Sequence, residues 1–144
     1  MVSVNLINQR IREVHFTNRI DKPGPIQLQS GFNFHMDYSA DKQRCKATLY
    51  QSVQMKDDPD RLFISVEIVG LFSLQGVVDD ESKRDAHILC YDQLFPYLQS
   101  TVTQLANASG LPGFLLKKNP MKRENITFAQ KEKPAQPPMT LPIV

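Results

Sequence analysis

No apolar run in this sequence approaches the roughly 20 residues of a membrane-spanning helix, so direct membrane insertion is not expected. The opening Met-Val-Ser-Val-Asn-Leu has no basic region followed by an apolar core, and no secretory signal is read there. Cysteine is scarce: Cys45 and Cys90 stand far apart, which fits free thiols in a reducing cytoplasm better than a disulfide framework. Histidine is equally sparse. His87 and Cys90 lie three apart on a candidate helix, within reach of each other or of a shared metal, but a zinc site needs three or four ligands. His35 and Asp37 share a strand face with no nucleophile beside them, and His15 stands alone. There is no glycine-rich phosphate loop, since Ser30-Gly31 and Ser109-Gly110 are turn material. The expectation is a protein without catalysis, metal or cofactor.

Charge excludes little. The net charge of +2 is near neutral, although Lys117, Lys118, Lys122, Arg123, Lys131 and Lys133 make the end of the chain basic. No stacking aromatics are interleaved with those cations, so nucleic acid is not an expected partner. At 144 residues the chain is most simply one domain, able to bury about two thirds of its unfolded surface.

What is present is alternation. From Leu62 to Leu74 the even residues Leu62, Ile64, Val66, Ile68 and Phe72 oppose Phe63, Ser65, Glu67, Val69 and Leu71, a strand apolar on both phases. Residues 4–18 read as a first strand whose phase breaks, with a bulge expected near Glu13. Residues 19–31 hold Pro23, Gly24, Pro25 and Gly31 and read as a crossover loop of a Greek-key sheet. Phe32, Phe34, Met36 and Tyr38 form one face of a second strand, and Ala47 to Met55 a third. The period then lengthens: Tyr91, Leu94, Phe95, Leu98, Val102 and Leu105 step by three and four, as on a helix with one apolar stripe. That helix is expected to begin at Ser82, to bend or break at Pro96 and to stop before Gly110. The fold class is α+β, a four-stranded antiparallel Greek-key sheet followed by one long helix. Residues 123–144 carry prolines at 134, 137, 138 and 142 and read as an extended tail after a domain of residues 1–122.

These stretches carry a family resemblance. Gly70-Leu71-Phe72-Ser73-Leu74-Gln75-Gly76 is similar to the G-(I/L)-F-S-(I/L)-x-G strand of the SecB protein-export chaperones. Cys90 followed by Leu94-Phe95-Pro96-Tyr97 resembles that family's C-x-x-x-LFPY helix. Gly110-Leu111-Pro112 and Asn119-Pro120-Met121 sit about where the family has its G-x-x-P and P-V-N segments, so the likeness covers roughly residues 5–122. The resemblance implies a cytoplasmic, non-enzymatic holdase that keeps non-native polypeptides from aggregating, in protein export or in guarding an antitoxin. The alternative is a dedicated adaptor for one partner.

The resemblance also implies sites. Phe32, Phe34, Met36 and Tyr38 match the groove-lining second strand and Leu71 its counterpart on the fourth. Apolar loop residues Ile26 and Leu28, and Phe114, Leu115 and Leu116 beyond the helix, are expected to wall that groove. SecB-like subunits pair strands into dimers and stack helices into dimers of dimers, which assigns Ile7, Ile11, Tyr97, Thr101, Gln104 and Ala108 to subunit contacts. A SecA-type translocation motor would meet the outer sheet face, where Ser65 stands in place of the family's carboxylate and Glu67 shares the face. More broadly, a sheet apolar on both faces and covered by one helix is expected to meet a partner with the remainder.

Overall fold

Alternation of apolar and polar residues yields four strands, β1 (Ser3–Asn18), β2 (Leu28–Tyr38), β3 (Arg44–Met55) and β4 (Leu62–Gln75), followed by one helix, α1 (Asp80–Ala108). The structure, a computed structural model, describes residues 1–21, 26–111, 114, 116–118, 121 and 126. The strands pair antiparallel in the order β1-β4-β3-β2. Strands β2, β3 and β4 follow one another as hairpins, and β1 lies beside β4. This is the expected Greek key, with β1 and β2 at opposite edges. The crossover is shorter than its prolines and glycines imply, because β2 begins at Leu28 and pairs with Met55 there. Leu28 is therefore a strand residue, while Pro23 and Pro25 lie outside the described residues.

Two bulges break the β1–β4 register, one between Leu6 and Asn8 and one between Ile11 and Glu13. The second is the bulge the broken phase demanded. It moves Val14 and Phe16 to the same sheet face as Ile11, opposite Val66, Ile64 and Ile68 of β4. The first, at Ile7, left no comparable mark in the sequence.

The helix starts earlier than expected. Asp79 is its N-cap: its carboxylate accepts from the Ser82 amide at 2.9 Å, and Ser82 Oγ accepts from the Asp79 amide at 2.9 Å. The capping box therefore runs from Asp79 to Ser82, and Ser82 lies inside the first turn instead of opening the helix. The Ser82 amide first, and then the Ser82 hydroxyl, which donates to the same carboxylate at 2.7 Å, hold the Asp79 carboxyl below the usual carboxylate range. Pro96 interrupts neither the assignment nor the apolar stripe. It removes one amide donor, and α1 continues as one element to Ala108. Gly110 takes the left-handed conformation (φ 88°) just past the C-cap, where a glycine was expected.

One face of the sheet makes the core with α1. Leu62, Ile64, Val66, Ile68 and Phe72 of β4, and Leu49 and Val53 of β3, are buried with Tyr91, Leu94, Leu98 and Val102 of the helix. Gly70 lies under the helix, where an added Cβ would stand 2.9 Å from Leu94 Cδ1 and 3.1 Å from Phe72. The opposite face departs from the expectation of excess apolar surface. It presents Arg10, Glu13, Lys46, Tyr50 and Glu67 with the exposed Leu71, whereas Gln54 is buried and Val69 is buried between its register partners Arg10 and Thr48. Alternation on β4 overstated that face because polar neighbours on β1 and β3 cover it laterally.

Gly70→Val should overpack the helix–sheet contact and destabilise the fold by about 1–3 kcal/mol in chemical denaturation. A stability equal to wild type would show that α1 does not press on β4 at this point.

Candidate functional site: an open strand edge and a half-covered sheet face

Strand β2 forms one edge of the sheet. The Ser39 amide donates to the Arg44 carbonyl at 2.9 Å, and at the other end the Lys56 amide donates to the Gln27 carbonyl at 2.8 Å. The register between those ends has no shift. Alternation therefore turns the backbone of Gln27, Gln29, Gly31, Asn33, His35, Asp37 and Ser39 toward β3. The backbone N–H and C=O groups of Leu28, Ser30, Phe32, Phe34, Met36 and Tyr38 point the other way. No strand lies beyond them among the described residues. These same even residues lie on the helix side of the sheet, opposite Met55, Val53, Gln51, Leu49, Ala47 and Cys45. One row of residues thus offers unpaired backbone and apolar side chains together.

The side chains are held but not hidden. Phe34 is buried against Tyr91 and His87, with ring centroids 5.5 and 4.9 Å apart, and Phe32 meets Tyr91 edge-on at 5.5 Å. Phe32, Met36 and Tyr38 remain half-buried. The Tyr38 hydroxyl donates to the Lys83 carbonyl at 3.3 Å, and the Lys83 ammonium lies 5.2 Å from the Tyr38 ring. Burial, then the nearby thiols, push the Tyr38 phenol up, so it stays neutral. Beneath this row the Sγ atoms of Cys45 and Cys90 lie 4.0 Å apart, both buried. Contact with Cys45 and then burial push the Cys90 thiol up, which leaves it a packing group, not a nucleophile.

Other expected wall residues are divided. Ile26 is half-buried and lines a hollow of about 320 Å³ with Gln27, Met55 and Asp57. Phe114 packs half-buried on the core. Leu116 is only 5% exposed and belongs to the core, its carbonyl accepting from Gln99 Nε2 at 2.7 Å. It cannot line an open groove in this arrangement, and Leu115 lies outside the described residues. Leu71 is corrected outright. It pairs with Lys46 and Asn8 on the outer face, 45% exposed, with the whole sheet between it and Phe34. Alignment placed it by position, whereas strand parity decides its face.

The second surface follows β1. Ile11, Val14 and Phe16 lie on the helix side yet are 49%, 41% and 43% exposed. Beside Ile11, Tyr97 and Thr101 of α1 complete a hollow of about 450 Å³ with Gln9, Pro96 and Ser100. The expected contact residues Ile11, Tyr97 and Thr101 are therefore brought together. Ile7 is the bulge residue, 53% exposed, and Gln104 and Ala108 are exposed further along the helix. Sequence reasoning missed Val14 and Phe16, whose clue was the phase break already used to place the bulge.

On the outer face Ser65 is 3% exposed, flanked by His15 and Ser52, and has little to offer a partner. Glu67 faces Glu13 and is met by Arg12, whose Nη1 is 3.4 Å from its carboxylate. Among the described residues no three His, Cys, Asp or Glu gather as metal ligands, and no helix is long and apolar enough to cross a membrane.

Comparison with known proteins agrees with this architecture. The model of the SecB family, described as preprotein translocase subunit SecB, matches residues 8–130. A protein-export protein SecB from Ruegeria sp. (strain TM1040) is 27% identical over 136 residues, which is 88% of this chain and 78% of that protein. Another, from Nitrosomonas europaea, is 32% identical over 92 residues, 58% of this chain and 56% of that one. The fold is also similar to a solved structure of the Mycobacterium tuberculosis Rv1957 SecB-like chaperone in complex with a ChAD peptide from the HigA1 antitoxin. There the TM-score is 0.61 at 16% identity, over 79% of this chain and 86% of that one.

His87, packed on Phe34 beneath this surface, provides a pH test. Burial first and the neighbouring His35 second lower its pKa to about 4. The unfolded chain takes up this proton near pH 6.5. The stability it contributes is therefore whole above about pH 6.5 and is lost as the pH falls toward 4, by on the order of 3 kcal/mol. His87→Phe should flatten that part of the stability–pH curve measured by urea unfolding. An unchanged slope would mean that His87 is not held neutral.

Proposed function

Since the chain belongs to the SecB family, we propose that it is a holdase chaperone for non-native polypeptides, acting in protein export. The observation that carries this reading is the β2 row, where Phe32, Phe34, Met36 and Tyr38 turn their backbone outward and the side chains of Phe32, Met36 and Tyr38 stay half-covered in one register. An unfolded chain has both complements. Its backbone can extend the sheet, which is indifferent to sequence, and its apolar side chains can settle beside Tyr91 and the aromatic row. Met36 adds a side chain that adapts to different shapes. Such binding runs by mass action and calls for no nucleotide.

The β1 surface supports a second copy of the chain as partner. Ile11, Val14 and Phe16 with Tyr97 and Thr101 form an apolar strip along an edge strand and the adjoining helix. That is the geometry a two-fold strand-and-helix interface uses. Homo-oligomers would place their β2 rows on the outside of the assembly, where clients reach them.

A second reading is favoured by the outer face. With Ser65 covered and Glu67 neutralised by Arg12, the carboxylate handle for a SecA-type motor is weak. A dedicated adaptor or antitoxin-type chaperone, serving one partner, has no need of it. Light scattering of a refolding denatured client separates the two. A general holdase suppresses the signal at near-stoichiometric amounts, and a dedicated adaptor leaves it unchanged.

Met36→Glu should weaken binding of an unfolded client by roughly tenfold or more, by placing an uncompensated charge in the row, whereas Lys46→Glu on the outer face should not. Equal affinities for the two variants would remove β2 as the client site. Val14→Asp combined with Phe16→Asp should lower the mass seen by static light scattering to that of a monomer. An unchanged mass would place the subunit contact elsewhere.

A further inference from the structure

The chain has two cysteines, and the fold brings both to one place. Cys45 is the second residue of β3, and Cys90 lies in the first half of α1. They stand 45 positions apart in sequence, yet their Sγ atoms are 4.0 Å apart. Among the described residues no third metal-binding side chain joins them, so the pair is not a metal site. Two sulfurs at this separation are in contact, and a disulfide needs them about 2 Å closer. Rotation of the two side chains and a small approach of α1 to β3 would close that gap. Cys45 is placed where the backbone can give, two residues beyond the turn at 40–43.

The two thiols are not equivalent. The Cys90 thiol donates to Cys45, and this contact draws the Cys45 thiol down toward ionisation. Cys45 in turn, ahead of burial, holds Cys90 protonated. Cys45 also keeps 4% of its surface open, against none for Cys90. It is therefore the sulfur able to attack first.

We infer that Cys45 and Cys90 form an oxidation site: a peroxide joins them in an intramolecular disulfide that staples α1 to β3 beneath the β2 row, and a thiol reductant releases it. This site stands whether or not the holdase reading does. In the first step the Cys45 thiolate attacks one peroxide oxygen, the O–O bond breaks, and the departing hydroxide takes up the Cys45 proton as water. Cys45 is left as a sulfenic acid. The main hold on the Cys90 proton was Cys45 itself, and oxidation ends it. Cys90 sulfur then attacks Cys45 sulfur: the S–S bond forms, the S–O bond breaks, and the hydroxide leaves with the Cys90 proton as a second water. Two thiols give up two electrons and two protons, and the peroxide is reduced to two waters.

The bond closes a loop of 45 positions, and its constraint on the unfolded chain grows with that length. On the helix beside Cys90, Tyr91 packs on Phe32 and Phe34, and His87 packs on Phe34. On the sheet, Cys45 is the register partner of Tyr38. The staple thus fixes α1 where it supports the row.

The test treats the folded, full-length chain with hydrogen peroxide and then unfolds it in the presence of an alkylating agent. Neither cysteine should be alkylated, peptide mapping should find Cys45 joined to Cys90 within one chain, and dithiothreitol should restore both thiols. The urea midpoint of the oxidised chain should stand about 1 M or more above that of the reduced chain. Cys45→Ser and Cys90→Ser should each abolish that shift. Cys90→Ser should also retain the Cys45 sulfenic acid, trapped by dimedone. Two thiols still free after treatment overturn the proposal, as does a link found only between chains or an oxidation that the reductant does not reverse. A disulfide that leaves the midpoint unmoved overturns the staple. Should a serine variant fail to fold, the mapping and the midpoint of the wild-type chain decide alone.

Discussion

A single helix is narrower than the sheet it covers. Strands lie about 4.8 Å apart and a helix with its side chains is about 10 Å across, so α1 can seal two strands but not four. It seals β4 and β3, whose inner residues from Leu49 to Phe72 are buried. It runs along the sheet, with His87 and Tyr91 over Phe34 at the β2 side, Gln93 bonded to the Val4 carbonyl, and the Ser109 carbonyl accepting from Asn18 near the far end of β1. The inner faces of β1 and β2 are left half-covered on either flank. Both surfaces assigned to partners follow from this one shortage of width.

The outer face shows why the shortage is confined to those flanks. Val69 and Ser65 are buried there with no second layer among the described residues, because Arg10, Thr48, His15 and Ser52 on neighbouring strands close over them. Lys46, Tyr50 and Glu67 complete a face that water can cover. The inner side has its own polar interruption: Gln51 is almost wholly buried opposite Phe32, its Nε2 donating to the Ser52 carbonyl and its Oε1 without a partner among the described residues. An orphaned acceptor of this kind costs about 1–3 kcal/mol. It lies under the β2 row, at the border between sealed core and open flank.

Strand existence, the phase facing the helix and the bulge near Glu13 were legible in the sequence, because each leaves a period-two signature within a dozen residues. So was Gly110, whose left-handed backbone ends the helix. What escaped was anything that depends on neighbours across the sheet. Leu71 resembled a groove residue until β4 was placed between β1 and β3, where its parity sends it outward. The excess of apolar residues on β4 resembled a sticky face until its lateral cover was known. Leu116 resembled an exposed loop residue, but it lies in the core. Val14 and Phe16 required the bulge and the edge position together. The N-cap was missed for a local reason: Asp79, Asp80 and Glu81 all have capping chemistry, and only geometry selects Asp79.

The two edges are not equivalent, and the difference bears on the partners proposed for each. Open edges invite any extended chain, and natural sheets commonly blunt them with bulges and charges. β1 is blunted in this way. Its two bulges within 16 residues change which backbone groups face out, and Arg10, Arg12 and Glu13 crowd the middle. An arbitrary extended chain cannot keep register along it, whereas the second copy proposed as its partner would carry matching irregularities. β2 runs 11 residues without a register shift, and its outward row contains neither a charge nor a proline. It is a regular template of the kind most folds avoid. An edge kept regular and uncharged is one that an extended chain can join through its backbone alone.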